Sequence, residues 1–210
     1  RSGTISGGAV DLKAGGDVVN ETAATARGDT AVGNTDIGGT AKIIAKEGLT
    51  IDAGRDVTVK GAEVSAGGNA AISAGGNVIV DTIQDRNAST SAQNHGTGMS
   101  SRNERSVTQI GSNVNAGGDL DIRAGRDVTV GGSAVNAGGD ANVQAGGNVN
   151  VIDRKNETLV HTEEARDAGL TTRGASIGRV TETTQTTTTT SAGVGASITS
   201  GGSARVNAGG

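Results

Sequence analysis

A short motif recurs along the chain at a fixed spacing, and this repeat constrains the fold more than any other feature. AGRDVTV occupies residues 53–59 and again 124–130, and related copies such as AGGNVIV (74–80) lie around them. The copies occur in pairs eight residues apart, and at two places successive pairs begin 21 residues apart. The repeat unit is therefore 21 residues long, and a fixed period of this size is typical of solenoid proteins.

Large apolar residues alternate with polar ones inside each unit, which is the two-residue period of a β-strand. Leu120 and Ile122 flank Asp121 in one segment, and Val128 and Val130 repeat the pattern in the next. Gly-rich AGG or GGS segments separate these strands, because glycine permits a tight corner. Three short strands per unit predict an all-β fold in which each unit forms one coil of a parallel β-solenoid.

The composition agrees with a narrow solenoid. Of the 210 residues, 37 are glycine and 33% are hydrophobic, and proline, cysteine and all aromatic residues are absent. By composition alone the chain is either a disordered Gly/Ser/Thr polymer or a fold that needs few large apolar residues. The repeat favours the second, since a tube of stacked Val, Ile, Leu and Ala is narrow. Proline is also excluded from strands whose N–H groups all pair with a neighbouring coil.

The same composition excludes several functions. Without cysteine there is no disulfide framework and no thiolate metal site. Without aromatic residues there is no surface on which bases stack, and a net charge of -4 gives no basic footprint for nucleic acid. No apolar run approaches the roughly 20 residues of a membrane helix. We therefore expect no nucleic-acid partner and no membrane span.

Three intervals between repeat units are longer than 21 residues, by 18, 29 and 42 residues. Each excess falls at the same corner of the coil, which predicts three polar insertions on one face of the solenoid. Their approximate bounds are 21–38, 82–110 and 152–193. We expect hairpins or extended flaps and no second domain, although the longest has the length of two degenerate coils. Insertions confined to one face often mark the working face of a solenoid.

The whole chain, 1–210, is predicted to form a single β-solenoid segment. It opens at Arg1 without an initiator methionine and stops inside a motif at Gly210. We expect it to be an internal segment of a longer filament, with its targeting information elsewhere.

Five polar residues occupy one equivalent position in successive units: Asp17, Asp56, Asn77, Asp127 and Asn148. Stacked coils would place them in a column of side chains that cap the corners. The alternative is calcium binding in the corners, but nonapeptide calcium repeats need GGxGxD at a nine-residue period, which is absent here. We predict a structural ladder and no metal site.

The candidate functional residues are few. Arg27, Gly28 and Asp29 form an RGD tripeptide in the first insertion, which is either a receptor-binding motif or a chance surface sequence. His95 and His161 are the only histidines, and no metal-ligand or catalytic pattern such as HExxH surrounds them.

Three carboxylates in the longest insertion are also candidate functional residues. Asp153, Glu163 and Glu164 have the chemistry of a general acid and base, but nothing in the sequence places them in a pocket. We expect solvated charges, and hence no catalytic residues, no cofactor, no small-molecule substrate and no enzyme activity.

The segments 112–151 and 60–80 resemble the hemagglutinin repeats of large exoproteins that Gram-negative bacteria secrete through two-partner systems. That family includes filamentous hemagglutinin adhesins and contact-dependent growth inhibition toxins. The resemblance implies a right-handed parallel β-helix that is exported unfolded through an outer-membrane two-partner secretion transporter and displayed on the cell surface. The absence of cysteine and proline suits such export, because no disulfide blocks threading and no prolyl isomerisation slows folding.

Three functional hypotheses follow from the sequence. The first is a non-catalytic structural segment of a secreted filament that presents an adhesive or toxin-delivery region. The second is an adhesin segment that binds a host or target-cell receptor through its one-sided insertions, with the RGD as a candidate contact. The third, a β-helical enzyme that cleaves polysaccharides, is disfavoured because such sites usually offer aromatic platforms for sugars.

Overall fold

A computed structural model of the chain describes residues 2–27, 33–96, 98–173 and 176–210. All regular elements within these ranges are β-strands, and three parallel sheets run along the molecule. The all-β solenoid predicted from the 21-residue repeat is confirmed. No segment in the described ranges forms an apolar helix of the length needed to cross a membrane.

Six coils and three hairpins follow one another along the chain. The first part contains coil 1, which is β1 (Thr4–Gly7), β2 (Val10–Ala14) and β3 (Val18–Glu21), then a hairpin of β4 (Ala24–Arg27) and β5 (Asn34–Ile37), and then coil 2, which is β6 (Lys42–Ala45), β7 (Leu49–Ala53) and β8 (Val57–Lys60). The middle part contains coil 3, which is β9 (Glu63–Ala66), β10 (Ala70–Ala74) and β11 (Val78–Asp81), then a hairpin of β12 (Ile83–Asn94) and β13 (Gly98–Ile110). Coil 4 follows with β14 (Asn113–Ala116), β15 (Leu120–Ala124) and β16 (Val128–Gly131). The last part contains coil 5, which is β17 (Ala134–Ala137), β18 (Ala141–Ala145) and β19 (Val149–Ile152), then a hairpin of β20 (Arg154–Arg173) and β21 (Ser176–Val194), and then coil 6, which is β22 (Ser197–Ser200) and β23 (Ala204–Ala208).

Coils 1 to 5 each contribute one strand to every sheet and coil 6 contributes to two of the three, so the strand order in a sheet follows the coil order. Sheet A is β1-β6-β9-β14-β17-β22, sheet B is β2-β7-β10-β15-β18-β23, and sheet C is β3-β8-β11-β16-β19. The register stacks equivalent positions of the repeat directly over one another, as where Ile72 pairs with Ile51 on one side and Ile122 on the other. The sequence period therefore becomes the spatial period of the rod.

The core is a narrow tube of small and medium aliphatic side chains. One interior column of sheet B runs through Ile51, Ile72, Ile122 and Val143, and none of these is more than 1% exposed. Val206 continues the column in coil 6, where it is 50% exposed because no further described coil covers it. The alternation of apolar and polar residues thus corresponds to inward and outward positions on each strand.

The AGG corners need glycine because consecutive coils touch backbone to backbone there. A Cβ on Gly125 would come closer than 3.0 Å to the carbonyl oxygen of Gly75 in the coil below. A Cβ on Gly76, the second glycine of its corner, would clash with the carboxylate of Asp56. Backbone contact explains the first glycine of the motif, and the polar side chain beside it explains the second.

The predicted ladder of polar corner residues is confirmed. Asp56 Oδ1 accepts the backbone N–H of Asn77 at 2.7 Å, and Asp127 Oδ1 accepts that of Asn148 at the same distance. The intervening step, from Asn77 Oδ1 to the N–H of Asp127, measures 3.2 Å. Each side chain therefore joins its own coil to the next, and its oxygen is engaged by an N–H donor.

A second ladder runs along the other AGG corner. The donors and acceptors are again equivalent residues of successive coils: Asn69 Oδ1 accepts the N–H of Asp119 at 2.8 Å, Asp119 Oδ1 that of Asp140 at 2.9 Å, and Asp140 Oδ1 that of Ser203 at 2.7 Å. This column follows from the same eight-residue pairing of motifs, although only the first ladder was predicted from the sequence.

Candidate functional site

All three insertions leave the rod at the corner between sheet C and sheet A. They follow coils 1, 3 and 5, whereas coils 2 and 4 close the same corner with two residues, Gly61–Ala62 and Gly132–Ser133. Insertions therefore alternate with plain corners along one line of the rod, as predicted for a single face. We call the three hairpins together, β4–β5, β12–β13 and β20–β21, the fin.

The spacing of the hairpins matches the spacing of the coils. Neighbouring strands lie about 4.8 Å apart in the hydrogen-bonding direction, so a two-stranded hairpin is as wide as two coils are tall. Hairpins on every second coil therefore meet edge to edge. β13 and β20 pair antiparallel from Gly98 opposite Arg166 to Val107 opposite Glu157, which makes one sheet of order β12-β13-β20-β21.

The first hairpin joins this sheet through side chains. Thr35 Oγ1 donates to Asp85 Oδ1 at 2.9 Å and accepts the N–H of Arg86 at 2.7 Å. Asn34 likewise exchanges two hydrogen bonds with the backbone of Ala88. The three hairpins consequently form one surface, although among the described residues β4 and β5 pair only with each other in the backbone ladder.

An ion pair holds the bases of the two longer hairpins. Asp81, at the end of β11, accepts hydrogen bonds from Nε and Nη2 of Arg154, at the start of β20. Burial alone would raise the pKa of Asp81, but the Arg154 guanidinium and the N–H of Thr82 together lower it below its usual range. A side chain on Gly131 or Gly132 would clash with the arginine, which explains the glycine pair at that plain corner.

The depressed pKa of Asp81 predicts a pH-dependent contribution to stability. That contribution is fully present above the ordinary carboxyl pKa of about 3.9 and is lost as the pH falls through the lower folded value. We expect Asp81→Asn to reduce the free energy of unfolding by about 1–2 kcal/mol at pH 7, a range discounted for partial exposure of the pair. Thermal denaturation of both proteins from pH 7 to pH 2 should show the difference shrinking, and a constant difference would contradict this assignment.

Buried hydroxyl groups satisfy the backbone at this corner. Ser112 is 3% exposed, and its Oγ lies 2.6 Å from the carbonyl oxygen of Asp81 and 3.1 Å from that of Val59. The same oxygen accepts the N–H of Ala62 at 3.3 Å. One side chain thus ties the end of a hairpin to the two coils beside it.

Replacing Ser112 with alanine should destabilise the chain, because it removes the hydrogen bond of the buried Ala62 N–H and one of the two that the Asp81 carbonyl accepts. We expect a loss of about 1–3 kcal/mol in the free energy of unfolding, measured by chemical denaturation. Ser89→Ala, at an exposed position of β12, is the matched control and should change stability by less than about 0.5 kcal/mol. Equal effects of the two substitutions would show that the corner hydrogen bonds contribute little.

The outer part of the fin is solvent-exposed and polar. Residues 181–193 of β21 are all exposed and include the threonines at 183, 184 and 186–190. Leu159, Met99 and Leu170 are large apolar side chains on the other strands of this sheet, and they are 39%, 55% and 74% exposed. The fin therefore stands clear of the rod as a free sheet without a core of its own.

The carboxylates considered as an acid–base pair do not converge. Glu163 and Glu164 are consecutive in β20, so their side chains project from opposite faces of the sheet. Glu163 accepts a hydrogen bond from Gln185 at 3.2 Å, and Glu164 pairs with Arg166 at 2.9 Å. Asp153 lies at the base of the hairpin and accepts the N–H of Ala196 at 3.0 Å.

The two histidines make separate contacts. His95 Nε2 lies 3.3 Å from Ser100 Oγ, and His161 Nδ1 lies 2.9 Å from Thr187 Oγ1. Across the described ranges, no group of three or more His, Asp or Glu side chains is arranged to hold a metal ion.

Only part of the RGD tripeptide can be located. Arg27 ends β4 with an exposed side chain, and its Nη1 lies 4.0 Å from Asp36 Oδ1. Gly28 and Asp29 lie outside the described residues. The receptor-binding interpretation of these three residues therefore stays a prediction.

A groove with a volume of about 690 Å³ lies away from the fin, along the corner between sheets A and B. Its wall includes Asp119, Asp121 and Asp140. Asp119 and Asp140 belong to the second polar ladder, and Asp121 contacts Arg123 and Asn142. These carboxylates are thus engaged in bonds within and between coils.

Comparison with known proteins gives two matches. A family model described as "Hemagglutinin repeat" matches residues 1–97 and 95–210. The chain is also similar to the protein named deoxyribonuclease CdiA from Dickeya dadantii (strain 3937), with 39% identity over 136 aligned positions. That alignment covers 57% of this chain and 4% of the relative, so the matched region is a small part of a much longer protein. No solved structure matches the chain at a significant level.

Proposed function

Because the chain belongs to the hemagglutinin-repeat family of two-partner-secretion exoproteins, we propose that it is a non-catalytic structural segment of a secreted, surface-displayed filament. In this role it holds a distal adhesive or toxin-delivery region away from a Gram-negative producing cell. The outer-membrane two-partner secretion transporter is the partner expected for the longer filament. Residues 1–210 act as one solenoid segment, with insertions at about 21–38, 82–110 and 152–193.

The observation that carries this proposal is the continuous bonding between coils. Sheets A and B pair each of the six coils with the next, sheet C does so for coils 1 to 5, and two polar ladders reinforce the corners. A rod built in this way bends little, so it holds its two ends at a fixed distance and in a fixed orientation. The polar side chains of its two ladders are used in bonds between coils, which suits a spacer better than a catalytic surface.

A second candidate function is adhesion, and the fin is the observation that favours it. The insertions gather into one exposed polar surface on a single line of the rod, where a receptor on a host or target cell would have access. The RGD tripeptide at 27–29 is a candidate contact in the first hairpin. Neither function requires a metal, a cofactor, a nucleic acid or a small-molecule substrate.

The chain itself provides the design for a test that separates these functions. Coils 2 and 4 turn the same corner with two residues, so each hairpin can be replaced by a corner of known geometry. The finless variant substitutes Gly-Ala for residues 22–41, Gly-Ser for 82–112 and Gly-Ser for 153–196. A second variant deletes 1–210 in coil register from the secreted exoprotein.

The measurements are surface display, target-cell binding and toxin delivery for both variants and the parent. If the segment is a structural spacer, the finless exoprotein should retain all three within about twofold. If the fin is adhesive, display should persist while target-cell binding falls at least tenfold, about 1.4 kcal/mol of binding free energy. Loss of delivery with normal display and binding would assign the segment to transfer into the target cell.

The enzyme hypothesis needs its own assay. Purified 1–210 should give no measurable release of reducing ends from pectin or related polysaccharides over the background without protein. Turnover that is abolished by substituting Asp121 would overturn the non-catalytic assignment, since Asp121 lies in the groove between sheets A and B.

A further inference from the structure

The groove between sheets A and B runs parallel to the axis of the rod. Residues of five successive coils line it, from coil 1 to coil 5. Four coil steps correspond to about 19 Å at 4.8 Å per step. Its volume of about 690 Å³ is that of a ligand-binding cleft. Further coils would stack along the axis, so they would lengthen the groove without covering it.

Two rows of equivalent residues form the walls of the groove. One row is the corner residue before each strand of sheet B, and the other is the second residue of that strand. In the middle of the groove these rows hold small side chains or none, as at Gly48, Thr50 and Ala71. Coil 4 instead holds Asp119 and Asp121 at the two positions. The middle of the groove therefore has low walls, and the charged residues lie towards its ends.

The ionisable residues among those that line the groove are all acidic. They are Asp11 in coil 1, Asp119 and Asp121 in coil 4, and Asp140 in coil 5. Within the described residues, Asp119 and Asp140 each accept one N–H of the next coil through Oδ1. A carboxylate accepts hydrogen bonds at both oxygens, so Oδ2 of each is open to a ligand.

The charges of Asp119 and Asp140 are not balanced within the described part of the chain. The two residues occupy equivalent positions of adjacent coils, about 4.8 Å apart, where like charges repel. The first polar ladder has one such pair, Asp17 beside Asp56, and there Arg55 contacts Asp17 at 3.0 Å. No lysine or arginine of the described ranges forms an ion pair with Asp119 or Asp140. A cation from outside the chain would supply this missing charge.

The positions of the carboxylates match alternate side chains of an extended peptide. Asp11 and Asp121 are three coil steps apart, about 14 Å, and Asp140 lies one step further, at about 19 Å. In an extended strand, residue i+4 lies about 13–14 Å from residue i and residue i+6 about 20 Å, all on one face. The carboxylates are not gathered around a point where they could hold a metal ion. Their linear spacing instead suits cations carried along a chain.

We propose that this groove binds an extended basic segment of a partner protein, with lysine or arginine at positions i, i+4 and i+6. The segment runs along the rod, its backbone lies over Gly48 and Ala71, and its cations contact Asp11, Asp121 and Asp140. This site goes beyond the proposed spacer function, and it does not involve the fin. The finless variant should therefore bind the same segment as the parent.

Fluorescence anisotropy with a labelled peptide of sequence KSGSKSK tests the proposal on the 210-residue chain at low ionic strength. The peptide should bind, and a groove variant that removes three charges should raise Kd at least tenfold. Asparagine already occupies the equivalent positions at Asn69 and Asn142, so these replacements keep the hydrogen bonds of the fold. The groove variant is Asp119→Asn, Asp121→Asn and Asp140→Asn.

A matched control removes the same number of charges outside the groove. Asparagine also occurs in the first ladder, at Asn77 and Asn148, so the control again preserves the hydrogen bonds between coils. It should change Kd by less than about twofold. The control variant is Asp52→Asn, Asp56→Asn and Asp127→Asn. Absence of peptide binding to the unmodified chain, or equal losses in the groove variant and this control, would overturn the proposal.

A lysine in the low-walled middle of the groove gives a second test that removes no acid. Ala71→Lys places a cation in the path of the peptide and should raise Kd at least tenfold. Ser73→Lys, on the same strand and face but outside the groove, should change Kd by less than about twofold. Equal effects of the two lysines would contradict binding in the groove. A chitosan oligosaccharide that binds where the peptide does not would overturn the assignment to a peptide.

Discussion

Replacing Gly125 with alanine is expected to lower the melting temperature of the chain by about 5–10 °C, which corresponds to a loss of roughly 2–3 kcal/mol in a domain of this size. The added methyl group would come closer than 3.0 Å to the carbonyl oxygen of Gly75. That oxygen belongs to the backbone of the coil below, so it cannot turn aside as a flexible side chain would. The coils must instead separate locally, and the hydrogen bonds around the corner lengthen.

Gly15 provides a matched control for this experiment. It occupies the same position of the same motif in coil 1, where a Cβ would meet no atom within 4 Å. Gly15→Ala should leave the melting temperature unchanged or raise it slightly, since alanine restricts the unfolded chain more than glycine does. If the two substitutions lower the melting temperature equally, then contact with the coil below is not the reason why residue 125 is glycine.

Truncating Ile122 to alanine is expected to cost about 2–5 kcal/mol in the free energy of unfolding, the usual range for a fully buried isoleucine. Its side chain is 0% exposed and stacks between Ile72 and Val143 in the interior column of sheet B. A narrow tube has no second layer of side chains that can move in to fill the cavity. Equilibrium denaturation by urea measures the effect.

The same column supplies the control for this substitution. Val206 continues it in coil 6 but is 50% exposed, so Val206→Ala removes less buried surface and should cost less than about 1 kcal/mol. Equal costs at Ile122 and Val206 would mean that stacking between coils contributes little to stability. A clear difference would show that each residue gains its stability from the coils on both sides.

The rod could be predicted from the sequence because its signals are local and repeated. The alternation around Asp121 marks one strand, and the 21-residue period shows that equivalent residues of successive coils stack on one another. Counting residues across each corner also placed all three insertions on one line. These inferences need only the period of the chain and the geometry of a strand.

The fin could not be predicted in the same way. The inserted segments share no period, and threonine-rich stretches pair almost equally well in several registers, so the sequence does not specify which residues face each other. The pairing of Val107 with Glu157 depends on the distance between coils 3 and 5, which is a property of the rod. Hairpins alternate with the plain corners at Gly61 and Gly132, and this alternation can be read from the sequence. It predicts edge-to-edge pairing of the hairpins only when the width of a hairpin is compared with the height of two coils.

The polar contacts likewise include some that could be predicted from the sequence and some that could not. The column through Asp56 was predicted, because five Asp or Asn residues shared a position in the repeat. The ion pair of Asp81 with Arg154 was not, because Arg154 lies at the base of an insertion, outside the repeat, and 73 residues along the chain from its partner.

The match between hairpin width and coil height also limits how such a protein can gain or lose repeat units during evolution. Gaining or losing one 21-residue unit keeps the rod intact, but it shifts a hairpin by one strand spacing relative to its neighbours and breaks a pairing such as that of β13 with β20. Gaining or losing two units together with their hairpin restores the pairing. Homologous recombination between these repeats should therefore leave lineages that differ by even numbers of coils wherever the fin is under selection.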